Sequence, residues 1–156
     1  MAKRHPSLVP LSREHHVALL LAFRLVHGLP PSRQPGDSPE AQAQDTVRFF
    51  QTKLTTHFRA EEQALFPLIR KTLPQAIPLL DTLLAEHADM RDRVQALEGA
   101  DPSELPAQLT AFGRLLERHV RSEERELFPM CEANLADDDA DRLKVAIADF
   151  VGEGRP

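Results

Sequence analysis

The sequence contains no tryptophan, no tyrosine and only one cysteine, Cys131. One thiol cannot close an internal disulfide, and without further cysteines it cannot build a thiolate zinc site. We therefore expect Cys131 to be a small packed residue. Oxidative enzymes that move electrons over long distances commonly relay them through tyrosine or tryptophan. The absence of both weighs against long-range radical chemistry.

The patterns of several other protein classes are also missing. The formal net charge is −5, so neither a nucleic acid nor an anionic membrane is an expected partner. Residues 1–6 contain no apolar run that would form a secretory signal, and no segment approaches the length of a membrane span. We therefore expect a cytoplasmic protein. A phosphate-binding glycine loop, a dinucleotide fingerprint and a Ser-His-Asp order are absent, which leaves those chemistries without support.

The composition is that of a folded helical domain. The chain has 156 residues, of which 42% are hydrophobic and 28% charged, so we treat residues 1–156 as one domain. Apolar residues recur at helical spacing over four long stretches, and no useful stretch alternates with period two. This predicts an all-α fold, an antiparallel up-down-up-down four-helix bundle. The predicted helices cover 12–27, 39–70, 76–98 and 102–134.

Proline, glycine and capping residues set the predicted helix ends. The segment 28–38 is predicted to be a loop, and Ser38 to cap the second helix ahead of a proline. Asp101 and Glu104 suggest a variant of the capping box at the start of the fourth helix. After the acidic run 137–139, apolar residues at helical spacing predict a short C-terminal helix.

An eleven-residue motif occurs twice, at 57–67 and 119–129, with the shared pattern H-x-R-x-E-E-x-x-L-F-P. A Glu-His pair precedes each copy, at 14–15 and 86–87. The chain therefore looks like two helical hairpins of similar design. The proline that closes each motif is expected to bend or locally open its helix.

Histidines and glutamates interrupt the apolar seams of these helices. His57 and Glu61 lie four residues apart on the seam of the second helix, and His119 and Glu123 take the same places in the fourth. His87 replaces an apolar residue on the third. A histidine and a glutamate at this spacing project from one helix face, so each pair can offer a nitrogen and an oxygen to adjacent metal ions.

The first helix offers a choice between two adjacent histidines. At about 100° per residue, Arg13 and Arg24 define the wet face, His15 lies opposite them and His16 falls on a flank. We predict His15 as a ligand and keep His16 as a side chain that supports one. In antiparallel hairpins all four histidines converge at one end of the bundle.

For a single one of these histidines, an ordinary hydrogen-bonded core residue is the simpler interpretation. Four histidines and two glutamates at matching depth are different, because leaving them unpartnered in a core would cost about 2–7 kcal/mol each. Nitrogen and oxygen donors without thiolate suit iron or manganese better than structural zinc. Glu62 and Glu124 beside the seam, and His5 near the first helix, are kept as residues that support or replace a ligand.

With these residues in view, the chain resembles the hemerythrin-like HHE cation-binding family, whose pattern of His, His-x-x-x-Glu, His and His-x-x-x-Glu matches over nearly the whole domain. The resemblance implies a four-helix bundle with a non-haem di-iron centre of the Fe-O-Fe type, with manganese or zinc as the other candidate ions. It also implies that Glu61 and Glu123 bridge the two metals. The implied ligands are His15, His57, Glu61, His87, His119 and Glu123.

Two positions depart from the oxygen-carrying hemerythrins. Those proteins place a second histidine one turn after the first on the third helix, where this chain has Arg91. Their last carboxylate lies five residues after its histidine, a place filled here by Glu124, whereas Glu123 fits the spacing of the HHE group. These departures disfavour simple oxygen carriage. Fewer imidazoles should leave open positions for solvent, oxygen, peroxide or nitric oxide.

Three functions are compatible with these residues. The preferred hypothesis is a binding or sensing module whose di-iron centre binds dioxygen, nitric oxide or iron itself, because no organic-substrate motif is evident. The second is an enzyme, such as a di-iron oxidase or a peroxide-consuming protein. The third is an interaction bundle that holds zinc or no metal. The expected partner is thus a small diatomic ligand or peroxide, and the oligomeric state stays open.

Overall fold

The structure, a computed structural model, describes residues 3–28 and 38–152, and this part of the chain contains helices and no strand. Five helices follow one another. Helix α1 is Val9–His27, α2 covers 39–72, α3 is Ile77–Leu97 after a 3-10 turn at Pro74–Ala76, α4 covers 105–134, and α5 is Asp137–Gly152. Two π-helical stretches interrupt α2, at Phe50–Leu54 and Glu61–Leu65, and one interrupts α4, at Glu123–Leu127.

The helices form the predicted four-helix bundle with an additional C-terminal helix. Helices α1 and α3 both pack along α4, and α5 packs over the middle of α2. The all-α prediction is confirmed. Within the described residues, every helix is too short or too polar to cross a bilayer.

The core consists of two separate apolar clusters, one toward each end of the bundle. Along α1, Leu11 belongs to one cluster and Ala18 to the other, so position 15 lies at their boundary. Along α2, Leu54 and Ala60 belong to different clusters in the same way, on either side of position 57. A polar layer therefore lies between two apolar ones, so the prediction that the histidines meet at one end of the bundle is wrong.

The helix ends agree with the predicted signals in one case and differ in others. Ser38 caps α2 by accepting a hydrogen bond from the Ala41 N–H at 3.1 Å. Helix α1 begins at Val9 and not at 12, because a proline is tolerated in the first turn. The predicted cap by Asp101 is wrong, since its carboxylate accepts from the Ser103 N–H in a turn that precedes α4. Apart from its end residues, the predicted loop 28–38 falls outside the described residues.

Each repeat proline is the second residue after a π-helical stretch. Proline has no N–H and its ring crowds the carbonyl four residues earlier, and the i to i+5 bonding of a π turn avoids that contact. Because each stretch adds a residue to a turn, buried side chains beyond it recur every four residues. In an ideal α-helix the apolar seams would continue through Ala64, Leu68 and Met130. These residues are only partly buried, and their neighbours Leu65, Ile69 and Cys131 are buried instead.

Candidate metal centre

Six buried side chains meet at the boundary between the two apolar clusters, and we call them the His/Glu layer. Helices α1 and α3 contribute one histidine each, and α2 and α4 contribute a histidine and a glutamate four residues later. The structure thus brings together all six residues predicted from the sequence as ligands. They are His15, His57, Glu61, His87, His119 and Glu123.

The layer divides into two groups that share both carboxylates. One group contains His15 and His57, the other contains His87 and His119, and Glu61 and Glu123 belong to both. Within each group the candidate ligand atoms all lie within 4.8 Å of one another. Each group therefore offers two imidazole nitrogens and two carboxylate oxygens to one point.

Each shared carboxylate points one oxygen at each group. Glu61 Oε1 lies 2.8 Å from His57 Nε2, and Glu61 Oε2 lies 3.1 Å from His87 Nε2. Glu123 Oε2 lies 2.9 Å from His15 Nε2, and Glu123 Oε1 lies 3.5 Å from His119 Nε2. This is the arrangement by which a carboxylate connects two adjacent cations.

The outer nitrogen of every histidine in the layer meets a further carboxylate. We call these four the outer carboxylates. The contacts join Glu14 to His57 Nδ1 at 2.6 Å, Glu62 to His87 Nδ1 at 2.7 Å, Glu86 to His119 Nδ1 at 3.2 Å and Glu124 to His15 Nδ1 at 2.7 Å. A carboxylate accepts a hydrogen bond from Nδ1–H, which assigns the tautomer of a neutral histidine and turns the Nε2 lone pair inward, as in metal-binding histidines.

When the four imidazoles are neutral, the inward-facing atoms of the layer have no donor of their own. The Nε2 atoms of His15 and His57 lie 3.0 Å apart, and those of His87 and His119 lie 3.1 Å apart. In the assigned tautomer neither Nε2 atom of such a contact carries a proton, so two lone pairs face each other. Within the described residues, all four oxygens of Glu61 and Glu123 are buried without a hydrogen-bond partner. Lone pairs that converge in this way require cations between them, so the residues fit metal ions.

The outer carboxylates form a closed circle around the bundle. Helix α1 supports the histidine of α2, α2 that of α3, α3 that of α4, and α4 that of α1. Each outer carboxylate is the chain neighbour of one predicted ligand but holds the histidine of the next helix. The circle therefore fixes imidazole orientations across every helix interface of the layer.

Three of the outer carboxylates are themselves held by arginines. Arg91 lies 2.9 Å from Glu62, Arg118 lies 3.1 Å from Glu86, and Arg4 lies 2.6 Å from Glu124. Arg91, which occupies the position of a histidine in the oxygen carriers, thus supports the carboxylate that holds His87. Glu14 has no arginine partner among residues 3–28 and 38–152.

Aromatic rings of the repeated motif fix the imidazole planes. Phe58 stacks on His87 with ring centroids 3.8 Å apart and an interplanar angle of 17°. Phe128 stacks on His15 with centroids 5.4 Å apart. Both phenylalanines are buried, so the rings also keep water from the layer.

In the metal-free protein, protons take the place of the cations. Burial by itself lowers the pKa of His57, but Glu61 and Glu14 outweigh it and raise this pKa to about 9. The pKa of His87 is raised to about 9 in the same way by Glu61 and Glu62. Metal binding must displace these protons, so it depends on pH.

Other sequence predictions fared differently. His16 is exposed, and it lies about 100° around α1 from the ligand position His15. His5 also lies outside the layer, because its ring contacts the Ser7 hydroxyl at 2.7 Å. Sequence reasoning missed Glu14 and Glu86 as outer carboxylates. The Glu-His pair before each motif copy was the available signal.

Comparison with known proteins identifies the family. The Hemerythrin HHE cation binding domain matches residues 8–131, from the start of α1 into the last part of α4. Comparison with curated proteins gave no match. Comparison with solved structures gave none either. Because the family match covers most of the sequence and the buried His/Glu groups suggest metal binding, the chain belongs to the hemerythrin HHE cation-binding domain family.

Proposed function

We propose that this protein holds two iron ions in the His/Glu layer and binds or senses dioxygen or nitric oxide there. The observation that carries the proposal is the pair of shared carboxylates, Glu61 and Glu123. Each is fully buried, each aims one oxygen at each histidine pair, and their oxygens have no hydrogen-bond partner among the described residues. Two cations side by side would satisfy all of these atoms.

The residues assign a donor set to each ion. His15 and His57 would hold one ion and His87 and His119 the other, with Glu61 and Glu123 contributing to both. Two iron ions supply a change of oxidation state and open coordination positions, because four protein donors leave room for an exogenous ligand. Nitrogen and oxygen donors without thiolate also admit manganese or zinc.

The chain's own residues prepare the site in two ways. The outer carboxylates hold the Nδ1 protons, which keeps all four Nε2 atoms directed inward as donors. The apolar clusters on both sides exclude water and leave a small uncharged molecule as the favoured ligand. This setting supports a binding or sensing role, with a di-iron oxidase or peroxide-consuming enzyme as the alternative.

Metal content tests the site. We expect elemental analysis of protein from iron-supplemented cells to give about two irons per chain, with near-ultraviolet absorption typical of a di-iron centre. The double variant His57→Ala and His119→Ala should lose this iron, whereas His16→Ala, which removes an exposed histidine, should keep it. One zinc per chain, no metal after reconstitution with ferrous iron, or full iron in the double variant would refute the proposal.

Ligand binding tests the activity. The iron-loaded protein should change its absorption spectrum in a saturable way when nitric oxide or dioxygen is added. Sustained consumption of peroxide or oxygen over many turnovers would instead favour the enzyme. A helical bundle that loads iron but gives neither response would fit iron binding alone.

A further inference from the structure

A pocket of about 250 Å³ lies between α1 and α2, beside the His/Glu layer. One side of the pocket is formed by Val17, Phe49 and Leu54, and we call these three residues the apolar wall. Its volume is below that of most pockets for drug-sized ligands, so it suits a smaller molecule. Another cavity, of about 590 Å³, is lined by α2 near its start and by the loop between α3 and α4, and it includes none of these residues.

Two cations border the pocket. Arg13 comes from α1 and Lys53 from α2, and neither has an ion-pair partner within the described part of the chain. The arginines beside Glu62, Glu86 and Glu124 are engaged with those carboxylates, whereas Arg13 and Lys53 remain available to a ligand. They give the pocket a preference for an anion.

The remaining polar wall is the pair of Glu14 and His57. The Glu14 carboxylate accepts from His57 Nδ1 at 2.6 Å, which directs its charge into the bundle. A bound anion would therefore lie at the opening, against Arg13 and Lys53, and its apolar part would lie along the apolar wall. The pocket specifies a charged end and an apolar end.

The internal duplication provides a comparison within the same chain. Aligned on the repeated motif and the Glu-His pair, Val17 corresponds to Asp89 and Lys53 to Leu115. Arg13 corresponds to Ala85. The second half thus has neither cation and carries an acid where the first half has an apolar residue. The anion-binding features belong to one half only and do not follow from the metal site that both halves share.

The backbone differs between the halves at the same place. Phe50–Leu54 in α2 is π-helical, whereas the equivalent residues 112–116 in α4 are α-helical. This stretch precedes no proline, unlike the other two, and it supplies Lys53 and Leu54 to the pocket. Isolated π turns occur frequently at functional sites.

We propose that this pocket binds a small organic monocarboxylate with an apolar body, its carboxylate paired with Arg13 and Lys53. The pocket borders the metal centre through Glu14 and His57, but the contacts proposed for the carboxylate, with Arg13 and Lys53, require no metal. The carboxylate site can therefore be tested independently of the proposed iron-dependent function.

The test is a calorimetric titration of the metal-free and the iron-loaded protein with benzoate, with benzyl alcohol and benzylamine as the neutral and cationic analogues. Benzoate should bind both forms with one site, and the two analogues should bind more weakly. Removing one charge-assisted contact should weaken benzoate at least about tenfold.

Each pocket variant introduces the residue that the second half of the chain has at the equivalent position. Lys53→Leu and Val17→Asp change exposed positions and should leave the melting temperature unchanged while weakening benzoate. Lys71→Leu, which removes an exposed cation near the end of α2, should bind like the parent. Equal binding of benzoate and benzyl alcohol, unchanged binding in both pocket variants, or binding that requires iron would overturn the proposal, the last because it places the carboxylate on the metal.

Discussion

Single carboxylates decide how the histidines of the layer are presented. Glu14, Glu62, Glu86 and Glu124 contact no inward-facing atom of the layer, yet each holds one Nδ1 proton. Such supporting partners typically contribute 10–100-fold to metal affinity, through the orientation and basicity of the imidazole. Their substitution should therefore alter affinity and leave the number of bound ions unchanged.

Glu86→Ala tests this expectation. We expect the affinity for iron to fall about 10–100-fold, because His119 loses the acceptor of its Nδ1 proton. Competition with a chelator measures the affinity, and elemental analysis at saturating iron should still give the parent stoichiometry. Glu126→Ala, an exposed glutamate on α4, is the matched control. Equal affinities in the two variants would show that the outer carboxylate is dispensable.

The protonation of the layer predicts how pH affects the metal-free protein. His57 and His87 have folded-state pKa values of about 9, above the ordinary value of 6.5. A group whose pKa is raised on folding stabilises the fold fully below its unfolded pKa and loses that contribution as pH rises through the folded value. The free energy of unfolding of the metal-free protein should therefore fall between pH 6.5 and 9.

Urea unfolding of the metal-free protein at several pH values measures this change. The iron-loaded protein should not show the same decrease, because its ligand imidazoles have already lost the inward protons. A metal-free protein that becomes more stable across this window would contradict the protonated state assigned to the layer.

The ligand residues were accessible from the sequence for a specific reason. His57 and His119 interrupt apolar seams at helical spacing, and the duplication makes the interruption visible twice. The roles of Glu14 and Glu86 were not predicted, because a residue beside a seam histidine points toward a neighbouring helix. Their partners follow only from how the helices pack, which periodicity within one helix does not encode.

Helices α1 and α4 approach each other closely at Gly113. A Cβ at Gly113 would lie 2.9 Å from Leu25 Cβ and 3.0 Å from the Ala22 carbonyl oxygen. The backbone of α1 therefore occupies the space that any side chain at 113 would need. This glycine serves close packing, although glycine weakens a helix by about 1 kcal/mol relative to alanine.

Gly113→Ala should destabilise the protein despite that gain in helix propensity. Overpacking of a filled interface costs about 1–3 kcal/mol, which exceeds the propensity term. Chemical denaturation measures the difference. Gly99→Ala is the control, since a Cβ there meets nothing within 4 Å and should leave stability nearly unchanged. If the two variants are equally stable, α1 and α4 are packed less tightly than the structure indicates.

The positions of the helices could be predicted from the sequence, but the face that each helix buries after a π-helical stretch could not. The spacing of apolar residues gave four helices and a C-terminal one, with ends displaced by a few residues. The π-helical stretches then move burial by one position, from Met130 to Cys131 in α4. An extra residue in a turn leaves no mark in an ideal 3.6-residue projection, although the prolines at 67 and 129 indicated where two of the stretches would end.

At the scale of the whole molecule, the packed core makes Cys131 a probe of unfolding. The thiol is fully buried, and burial together with Glu132 raises its pKa to about 12. A thiol-reactive dye should therefore label the native protein very slowly and the urea-unfolded protein rapidly. Iron loading should slow labelling further, because a ligand bound only by the native state lowers the unfolded fraction. Fast native labelling would place Cys131 in a locally opening segment.

The circle of outer carboxylates makes the two helical hairpins of the chain depend on each other in the same way. Within the first hairpin Glu14 reaches His57, but His15 depends on Glu124 from the other hairpin. Likewise, within the second hairpin Glu86 supports His119, but His87 depends on Glu62 from the first hairpin. A lone hairpin would thus lack support for one of its two histidines, and the other hairpin of the chain supplies it. Each half of the chain therefore completes the support of the other half's histidines, as two subunits of a dimer would.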